Sequence, residues 1–336
     1  MRIAVLGLGR IGLMHAGNIA RHHTLALAGV HDLDRHVAVA AAETLSTQVY
    51  AHLEAVFADE DAEALLIATP TDTHADLIER AVECGKAVFC EKPVDLSLRR
   101  ASACAAAVAG RGVPVQIGFN RRFDPGHRGA REALRAGEIG ALHQVLITSR
   151  DPGLPPREYL MSAGGLLRDM TIHDFDLARF LLPSEPVEVY AVADALVDPA
   201  LGKALGEVDS AMLILRTADG CMCHINNSRA AVYGYDQRVE LLGDEGMLVS
   251  DNRRPHELRR YGARATGVAA PYLHFFIERY HDSFVAELEA FAQCVADSTE
   301  PEVGLNDGVA ALRLAEAAYL SMRERRAVSV DEVELA

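Results

Sequence analysis

The chain has 336 residues, 50% of them hydrophobic and 24% charged, which is enough for two domains that each bury a core. Its formal net charge of −15 disfavours nucleic acid and an anionic membrane as partners, and it favours a neutral small molecule. The six cysteines include no Cys-x-x-Cys pair, so we expect buried, reduced thiols in a cytoplasmic protein and no metal site, with Cys221 and Cys223 only a weak candidate for a metal clip.

Short apolar runs alternate with segments of helical spacing over the first 120 residues. The apolar runs lie at residues 3–6, 25–30, 64–68, 87–90 and 115–117. Helical spacing is clearest at residues 73–84 and 96–109. This alternation predicts an α/β Rossmann domain over residues 1–120, with a doubly wound parallel sheet and helices on both faces.

The pattern changes after residue 120. Helices are predicted at residues 125–136, 165–182, 278–296 and 307–323, and a proline-rich loop at residues 151–156. Strands separated by turns are predicted at residues 142–148, 187–193, 208–217, 221–227, 237–242 and 247–250. Residues 121–336 are therefore expected to form a substrate-binding and oligomerisation domain of the α+β class with a large, mostly antiparallel sheet. The C-terminal helices are candidates to pack back on the first domain.

A G-x-G-x-x-G string of Gly7, Gly9 and Gly12, with Arg10 and Ile11 inside it, ends the first apolar run and opens a helical pattern. Glycines at these positions allow a tight turn and a close approach of the backbone to a pyrophosphate, which the N-terminus of the following helix would bind. The string alone is weak, but its place between a strand and a helix makes it a strong dinucleotide signal.

Asp32 lies about twenty residues beyond the last glycine, at the end of the second predicted strand. A carboxylate there binds the adenosine ribose hydroxyls and repels a 2′-phosphate, so we expect NAD as the cofactor. Arg35 is close enough in the chain to soften that preference. The alternative is a tight turn followed by a surface aspartate.

Two groups are candidates for the chemistry. Glu91 and Lys92 directly follow an apolar strand, and ligands of open parallel sheets bind beyond the carboxyl ends of the strands. Asp169 and His173 are four residues apart on a predicted helix, so they would share one face, and the glycines Gly164 and Gly165 before them would allow a ligand to approach. A histidine suits proton abstraction from an alcohol near neutral pH. A solvated lysine, a structural histidine, a helix-surface ion pair and a metal pair are the alternatives.

With these residues in place, the chain resembles the glucose–fructose oxidoreductase, inositol dehydrogenase and rhizopine catabolism (Gfo/Idh/MocA) family over nearly its whole length. The resemblance rests on the order of the elements, on the Glu-Lys-Pro sequence and on the stretches 118–124 and 168–176. The stretches 227–229 and 233–238 are more typical of the inositol-oxidising branch.

The resemblance implies roles for single residues. It implies a catalytic trio of Lys92, Asp169 and His173. It places further residues near the nicotinamide end of the cofactor, namely Thr69, Pro70, His74 and Glu91. It places the polyol near Lys92, Asn120, Arg121, Asp151, Asp169, His173 and Tyr235.

The implied activity is the NAD-dependent oxidation of myo-inositol at carbon 2 to scyllo-inosose, by a homo-oligomer that is a dimer or a tetramer. Selectivity stays open because the loop at residues 149–152 varies among relatives. Another neutral polyol or sugar, such as scyllo-inositol or glucose, is the first alternative. An NAD-dependent glycosidase and a non-catalytic cofactor sensor are the others.

Overall fold

The computed structural model describes residues 1–334, which divide into two compact units. The first unit comprises residues 1–120 together with residues 284–312. The second comprises residues 121–283 together with residues 313–334. Each unit contains its own sheet, and the elements of each are described separately.

The sheet of the first unit has five strands, all paired in parallel. They are β1 (Arg2–Leu6), β2 (Ala26–His31), β3 (Ala64–Ile67), β4 (Ala87–Glu91) and β5 (Val115–Gly118). The strand order β2-β1-β3-β4-β5 reverses direction at β1, so the ligand crevice of this sheet is expected beyond the carboxyl ends of β1 and β3. The predicted doubly wound parallel sheet is confirmed.

Helices connect these strands. They are α1 (Arg10–Arg21), α2 (Arg35–Leu45), α3 (Leu53–Ala58), α4 (His74–Glu83) and α5 (Leu98–Val108). Helices α2 and α5 are each preceded by an N-cap residue whose side chain accepts a backbone N–H of the first turn, Asp34 for α2 and Ser97 for α5. Gly9 precedes helix α1 at the N-cap position and has no side chain, so the N–H groups of the first turn of α1 are not occupied by a capping side chain.

The core of the first unit packs the sheet against apolar side chains of several helices. Ile3, Val5 and Phe89 from the strands are fully buried, and Ile19 of α1 packs with them. Residues 284–297 of helix α12 (His281–Asp297) belong to this unit, and Phe291 of that helix is fully buried in the same cluster.

A seven-stranded sheet forms the centre of the second unit. Its strands are β6 (Leu142–Arg150), β7 (Pro186–Asp194), β8 (Ser210–Thr217), β9 (Met222–Ser228), β10 (Asp236–Gly243), β11 (Met247–Ser250) and β14 (Val328–Ser329), in the order β11-β10-β6-β9-β8-β7-β14. The pair β6 and β9 is parallel, and all other pairs are antiparallel. The prediction of a mostly antiparallel sheet is therefore confirmed. A separate hairpin joins β12 (Arg259–Gly262) to β13 (Ala265–Ala269).

The other helices are α6 (Pro125–Arg135), α7 (Arg157–Ser162), α8 (Leu166–Asp169), α9 (Thr171–Leu181), α10 (Pro199–Leu205), α11 (Phe276–Arg279) and α13 (Leu305–Glu324). The prediction of a single helix over residues 165–182 is wrong, because the helix is interrupted at Met170, between α8 and α9. The hydroxyl of Thr171 lies 3.4 Å from the Leu166 carbonyl oxygen, and such a side-chain bond competes with the helical ladder. The predicted helix at 278–296 is likewise divided, into α11 and α12.

The structure bears on the predictions made for the cysteines and for membrane-spanning helices. Five of the cysteines are buried free thiols, and burial raises the pKa of Cys90 and Cys223 well above the ordinary range. Cys84 is exposed, so the expectation that all the thiols are buried is wrong for that residue. Within residues 1–334, no helix combines the length and the apolar character that crossing a bilayer would require.

Candidate active site

The carboxyl edge of the five-stranded sheet brings three candidate segments into line. Leu6, Ile67 and Cys90 are in register across β1, β3 and β4. The residues that follow them are the glycine loop, the turn that contains Thr69, and the Glu91-Lys92 segment. The sequence positions predicted to bind the cofactor therefore lie along one edge of one sheet.

The glycine loop has the shape that a pyrophosphate needs. A Cβ atom at Gly7 would lie 2.5 Å from the Ala68 carbonyl oxygen, and one at Gly12 would overlap the carbonyl oxygen of Gly7. Those two glycines are therefore required by the fold itself. A Cβ atom at Gly9 would meet no atom within 4 Å, so the uncapped N-terminus of α1 faces open space there. Backbone N–H groups at the end of a 12-residue helix suit an anionic group in that space.

Asp32 ties the second strand to the glycine loop. One carboxylate oxygen accepts the backbone N–H of Leu8 at 2.7 Å, and the other accepts the N–H of Asp34 at 2.8 Å. Each oxygen of a carboxylate can accept a second hydrogen bond, so ribose hydroxyls can still be bound. Arg35 is exposed in the first turn of α2, and Arg10 and Ile11 open α1. The loop, the helix end and Asp32 together fit a dinucleotide without a 2′-phosphate.

His74 holds two loops of this edge together. Its ring is 2% exposed, with Nδ1 2.8 Å from the Pro93 carbonyl oxygen and Nε2 2.8 Å from the Thr69 carbonyl oxygen. A neutral imidazole donates from only one nitrogen, and burial lowers the pKa of His74. The ring lies between the segments that carry Thr69 and Pro93 and donates to one of their two carbonyl oxygens. The exposed Pro70 lies between Thr69 and the start of α4. His74 therefore contacts the backbone of both loops, the one that contains Thr69 and the one that contains Lys92.

Lys92 is half-buried beyond the end of β4, and the Lys92–Pro93 peptide bond is cis. The carboxylate of Glu91 turns toward His15, with Oε1 2.9 Å from Nε2. Asn120 is 3% exposed at the end of the first unit's continuous segment. Of the two sequence candidates at this strand end, Glu91 is bonded to a helix of its own unit.

In the second unit, Asp169 is the centre of a polar cluster. The Tyr159 hydroxyl donates to Oδ1 at 2.7 Å, and the Arg229 guanidinium donates to Oδ2 at 2.9 Å. His173 lies one turn further on in α9, and its backbone N–H meets the Met170 carbonyl oxygen at 3.3 Å. The two residues are close in the chain, but they lie in successive helices rather than on one face of a single helix.

Arg229 also contacts a second carboxylate, so it bridges two of the predicted site residues. Asp151 Oδ2 lies 3.5 Å from the guanidinium, and the backbone of Asp151 bonds to Ser228 and Ala231. Burial raises the pKa of Asp151 to about 6, with Arg229 opposing this shift and Asp169 adding to it. The loop predicted to face the substrate is thereby fixed beside Asp169.

Arg121 is also buried, at 3% exposure, and it forms an ion pair with Asp174. Its guanidinium lies 3.1 Å from the Ser149 hydroxyl. Asp174 accepts a hydrogen bond from Asn227 at 2.8 Å, and burial raises its pKa although Arg121 opposes this. The Arg121 side chain is thus bonded to Asp174 and Ser149 inside the second unit.

Tyr235 is buried with its ring edge-on to Tyr280, at a centroid distance of 6.1 Å. Burial raises the pKa of the Tyr235 hydroxyl well above its ordinary range, so it remains a neutral donor. Tyr280 in turn reaches Gln237 at 3.2 Å. The structure thus places Tyr235 in the same buried polar layer as Arg121, whose guanidinium lies 5.7 Å from the Tyr280 ring centroid.

The expectation that Gly165 leaves room for a ligand is wrong. Gly165 has a φ of +87°, and a Cβ atom there would overlap the Tyr319 hydroxyl and lie 2.6 Å from the Glu207 carboxylate. The space is therefore filled by the protein's own side chains. This glycine serves the packing of the second unit.

Tyr159 and Arg229 were not identified as site residues from the sequence. Arg229 belongs to the stretch 227–229, which supports the family resemblance. Its position directly after the end of β9, two residues beyond Asn227, is the sequence signal that could have identified it as a site residue. Tyr159 follows the proline-rich loop, and nothing in its local pattern points to Asp169.

Two family descriptions match the chain. "Oxidoreductase family, NAD-binding Rossmann fold" matches residues 1–119, and "Oxidoreductase family, C-terminal alpha/beta domain" matches residues 131–330. The inositol 2-dehydrogenase of Rhizobium meliloti is 45% identical to this chain, over 98% of this chain and 99% of its own length.

Solved structures agree with these matches. A myo-inositol dehydrogenase from Corynebacterium glutamicum superposes with a TM-score of 0.94 at 42% identity, covering 98% of each chain. The scyllo-inositol dehydrogenase from Lactobacillus casei, solved with NAD(H) and scyllo-inositol, has a TM-score of 0.90 at 28% identity. That match covers 98% of this chain and 99% of the other.

Proposed function

The chain belongs to the oxidoreductase family with an NAD-binding Rossmann fold and a C-terminal alpha/beta domain, and from this premise we propose that it oxidises myo-inositol at carbon 2 to scyllo-inosose. The observation that carries the proposal is the cluster in which Arg229 contacts both Asp151 and Asp169, beside the loop at residues 149–152 of the second unit. Asp169 and Arg229 are buried and Asp151 is partly exposed beside them, and polar groups at such a site suit a ligand with many hydroxyls. The relatives named for inositol oxidation add to it.

We assign the cofactor to the glycine loop, with Asp32 on the adenosine ribose. When bound, NAD supplies the hydride acceptor. The open space at Gly9 would take the pyrophosphate. Thr69, Pro70 and His74 would frame the nicotinamide end, with Lys92 beside it. Because a carboxylate repels a 2′-phosphate, we expect NAD to be preferred over NADP.

His173 takes the proton of the substrate hydroxyl as the general base. The negative charge of Asp169 stabilises the protonated imidazole. Tyr159 and Arg229 hold one carboxylate oxygen each, so they fix the direction of Asp169. Lys92 donates a hydrogen bond to the reacting oxygen and helps to pass the proton taken up by His173 outward. As the carbon–oxygen double bond forms, the oxygen loses its proton to His173 and the carbon loses a hydride, for which bound NAD would be the acceptor.

The second candidate substrate is scyllo-inositol, because a relative of known structure binds it. The two isomers differ in the orientation of a single hydroxyl. Selectivity between them depends on acceptors and donors placed around that hydroxyl, and a site that hydrogen-bonds one isomer leaves groups unpaired with the other. Asp151 is the residue we expect to make this distinction.

A panel of myo-inositol, scyllo-inositol and glucose, each with NAD and with NADP, tests the proposal. The purified protein should form NADH with myo-inositol at a kcat/KM at least about tenfold above the value for glucose. Oxidation of glucose alone would refute the choice of substrate. A glycosidase would release product without net NADH, and a cofactor sensor would turn over none of the three.

We also propose that a second copy of the chain covers the outer face of the seven-stranded sheet. Tyr190 and Val192 on β7 are paired with Ile214 and Met212 on β8, and these four side chains are 41% to 59% exposed. Contiguous apolar side chains on one sheet face mark an interaction surface, and homo-oligomers are the common solution. A homodimer or homotetramer by light scattering is the expected result.

The free thiols suit a reducing compartment such as the cytoplasm.

A further inference from the structure

A buried group outside the reaction just described links three elements of the first unit. His15 of α1, Glu91 at the end of β4 and Glu287 of α12 place one ligand-type atom each within 4.8 Å of one another. His15 Nε2 lies 2.9 Å from Glu91 Oε1 and 4.0 Å from Glu287 Oε1. A single imidazole nitrogen therefore faces two carboxyl groups.

The burial of the Glu287 side chain determines whether its carboxyl group carries a proton. The residue is completely buried, and no described residue donates a hydrogen bond to either of its carboxyl oxygens. An ionised carboxylate in such a place costs far more free energy than a neutral acid. Burial, and secondarily the charge of Glu91, raise the pKa of Glu287 well above its ordinary range. Glu287 is therefore neutral when Glu91 is ionised.

His15 is held in one orientation. Its ring is fully buried and lies edge-on to Phe89 at 5.2 Å and to Phe284 at 5.6 Å between ring centroids. Its Nδ1 has no hydrogen-bond partner among the described residues, whereas Nε2 points at Glu91. A metal-bound histidine normally donates its second nitrogen to an acceptor, so this arrangement favours a proton over a metal ion between the three groups.

Glu91 is fitted closely into its place. Its carboxyl atoms lie 3.2 Å from where a Cβ atom of Gly118 would stand. The next residue is Lys92, and the carbonyl oxygen of Pro93 is bonded to His74. The segment that carries Lys92 is thus fixed on one side through the Glu91 side chain and on the other through the Pro93 backbone.

We propose that His15, Glu91 and Glu287 form a buried positioning triad, in which Glu287 keeps a proton, Glu91 is the single anion bonded to His15, and the Lys92 segment is thereby held for hydride transfer. The part that concerns Lys92 rests on the proposed function. The protonation of the triad does not, because it follows from burial and contacts in one unit. The three residues act through Lys92 and do not touch the substrate.

Infrared difference spectroscopy tests the protonation without any substrate. Wild-type protein at pH 7 should show the carbonyl stretch of a protonated carboxylic acid, shifted in D₂O, and Glu287→Gln should lose it. Glu287→Gln is the neutral isostere, so its kcat should stay within about threefold of wild type. The absence of such a band in wild type, or a band that persists in Glu287→Gln, would overturn the proposal.

A matched pair at His15 tests the positioning. The amide nitrogen of His15→Gln can reach the place of Nε2 and donate to Glu91, whereas that of His15→Asn ends near Nδ1 and cannot. We expect His15→Asn to lower kcat by about tenfold to a hundredfold, the scale of a misplacement of about 1 Å, and His15→Gln to recover most of it. The NADH dissociation constant from fluorescence titration should change less than threefold in both.

Several outcomes would contradict the triad. Equal kcat values for the two His15 variants, once corrected for folded fraction by thermal melts, would assign His15 a merely structural role. A stoichiometric divalent metal in the wild-type protein that is lost from both variants would replace the proton by a cation. If wild-type protein oxidises none of the polyols, the proposed function fails, whereas the infrared result still decides the protonation.

Discussion

Asp151 gives a stability prediction that does not depend on activity. Its carboxyl group has an ordinary pKa of 3.8, and burial raises that pKa to about 6 in the folded protein. The unfolded chain therefore releases the proton at a lower pH than the folded chain does. The sign follows directly: the folded state is penalised as pH rises from below 3.8 to above 6, and Asp151→Asn removes this penalty.

The magnitude follows from about 1.4 kcal/mol for each pKa unit, which gives a full effect of about 3 kcal/mol for this group. About 2 kcal/mol of it should fall between pH 4 and pH 8. Urea unfolding of wild type and of Asp151→Asn at a series of pH values measures it. The free energy of unfolding of the variant minus that of wild type should rise by about this amount across the series.

Asp209 provides a control of opposite sign in the same unit. Burial acts to raise its pKa, but the backbone N–H groups of Leu196, Val197 and Asp198 outweigh burial and lower the pKa. Asp209→Asn should therefore lose stability relative to wild type as pH rises. A pH-independent difference for Asp151→Asn, or the same sign for both variants, would refute the reasoning about burial at Asp151.

Three further outcomes are expected. Asp32→Ala should weaken NAD binding about tenfold to a hundredfold, the range for a hydrogen bond to a charged group, and an unchanged dissociation constant by fluorescence titration would remove the ribose assignment. His173→Ala should lower kcat by about 10² or more with NAD affinity nearly unchanged, and near-normal turnover in stopped-flow or steady-state assays would exclude it as the base. Burial lowers the pKa of His127 to about 4, so wild type should lose up to about 3 kcal/mol relative to His127→Gln as pH falls from 6.5 to 4; parallel unfolding curves for the two proteins would contradict this.

Local sequence patterns were sufficient to predict the carboxyl edge of the first unit's sheet, where we expect the cofactor to bind. The run Ile3 to Leu6 is apolar on both faces because its strand is central in a parallel sheet, and the glycines directly follow it. Strand, turn and helix are consecutive there, so composition and spacing describe the whole feature. The same holds for Lys92, which is placed by the end of the strand before it.

The break between Asp169 and His173 could not be predicted in this way. Helical spacing continues through residues 165–182, but the helix is interrupted directly before Thr171, whose hydroxyl reaches Asn227 at 2.7 Å, 56 positions away. Tertiary contacts of this kind override a local period. The consequence is that Asp169 is oriented by its own partners and not by a shared helix face with His173.

The partners of the candidate site residues were missed for a related reason. Arg229 is 60 positions from Asp169, and His15 is 76 positions from Glu91. Periodicity reports which face of an element a residue occupies, but it does not report which side chain of a distant element meets it. Tyr159 is only 10 positions from Asp169, yet the end of α7 and a loop lie between them.

The central claim is that this NAD-binding oxidoreductase oxidises myo-inositol with His173 as the base. Initial rates of NADH formation with myo-inositol, measured for wild type and for His173→Asn at equal occupancy by NAD, test it most directly. The account predicts clear turnover by wild type and a rate lower by about 10² or more for the variant. No NADH from wild type, or equal rates from the two proteins, would contradict it.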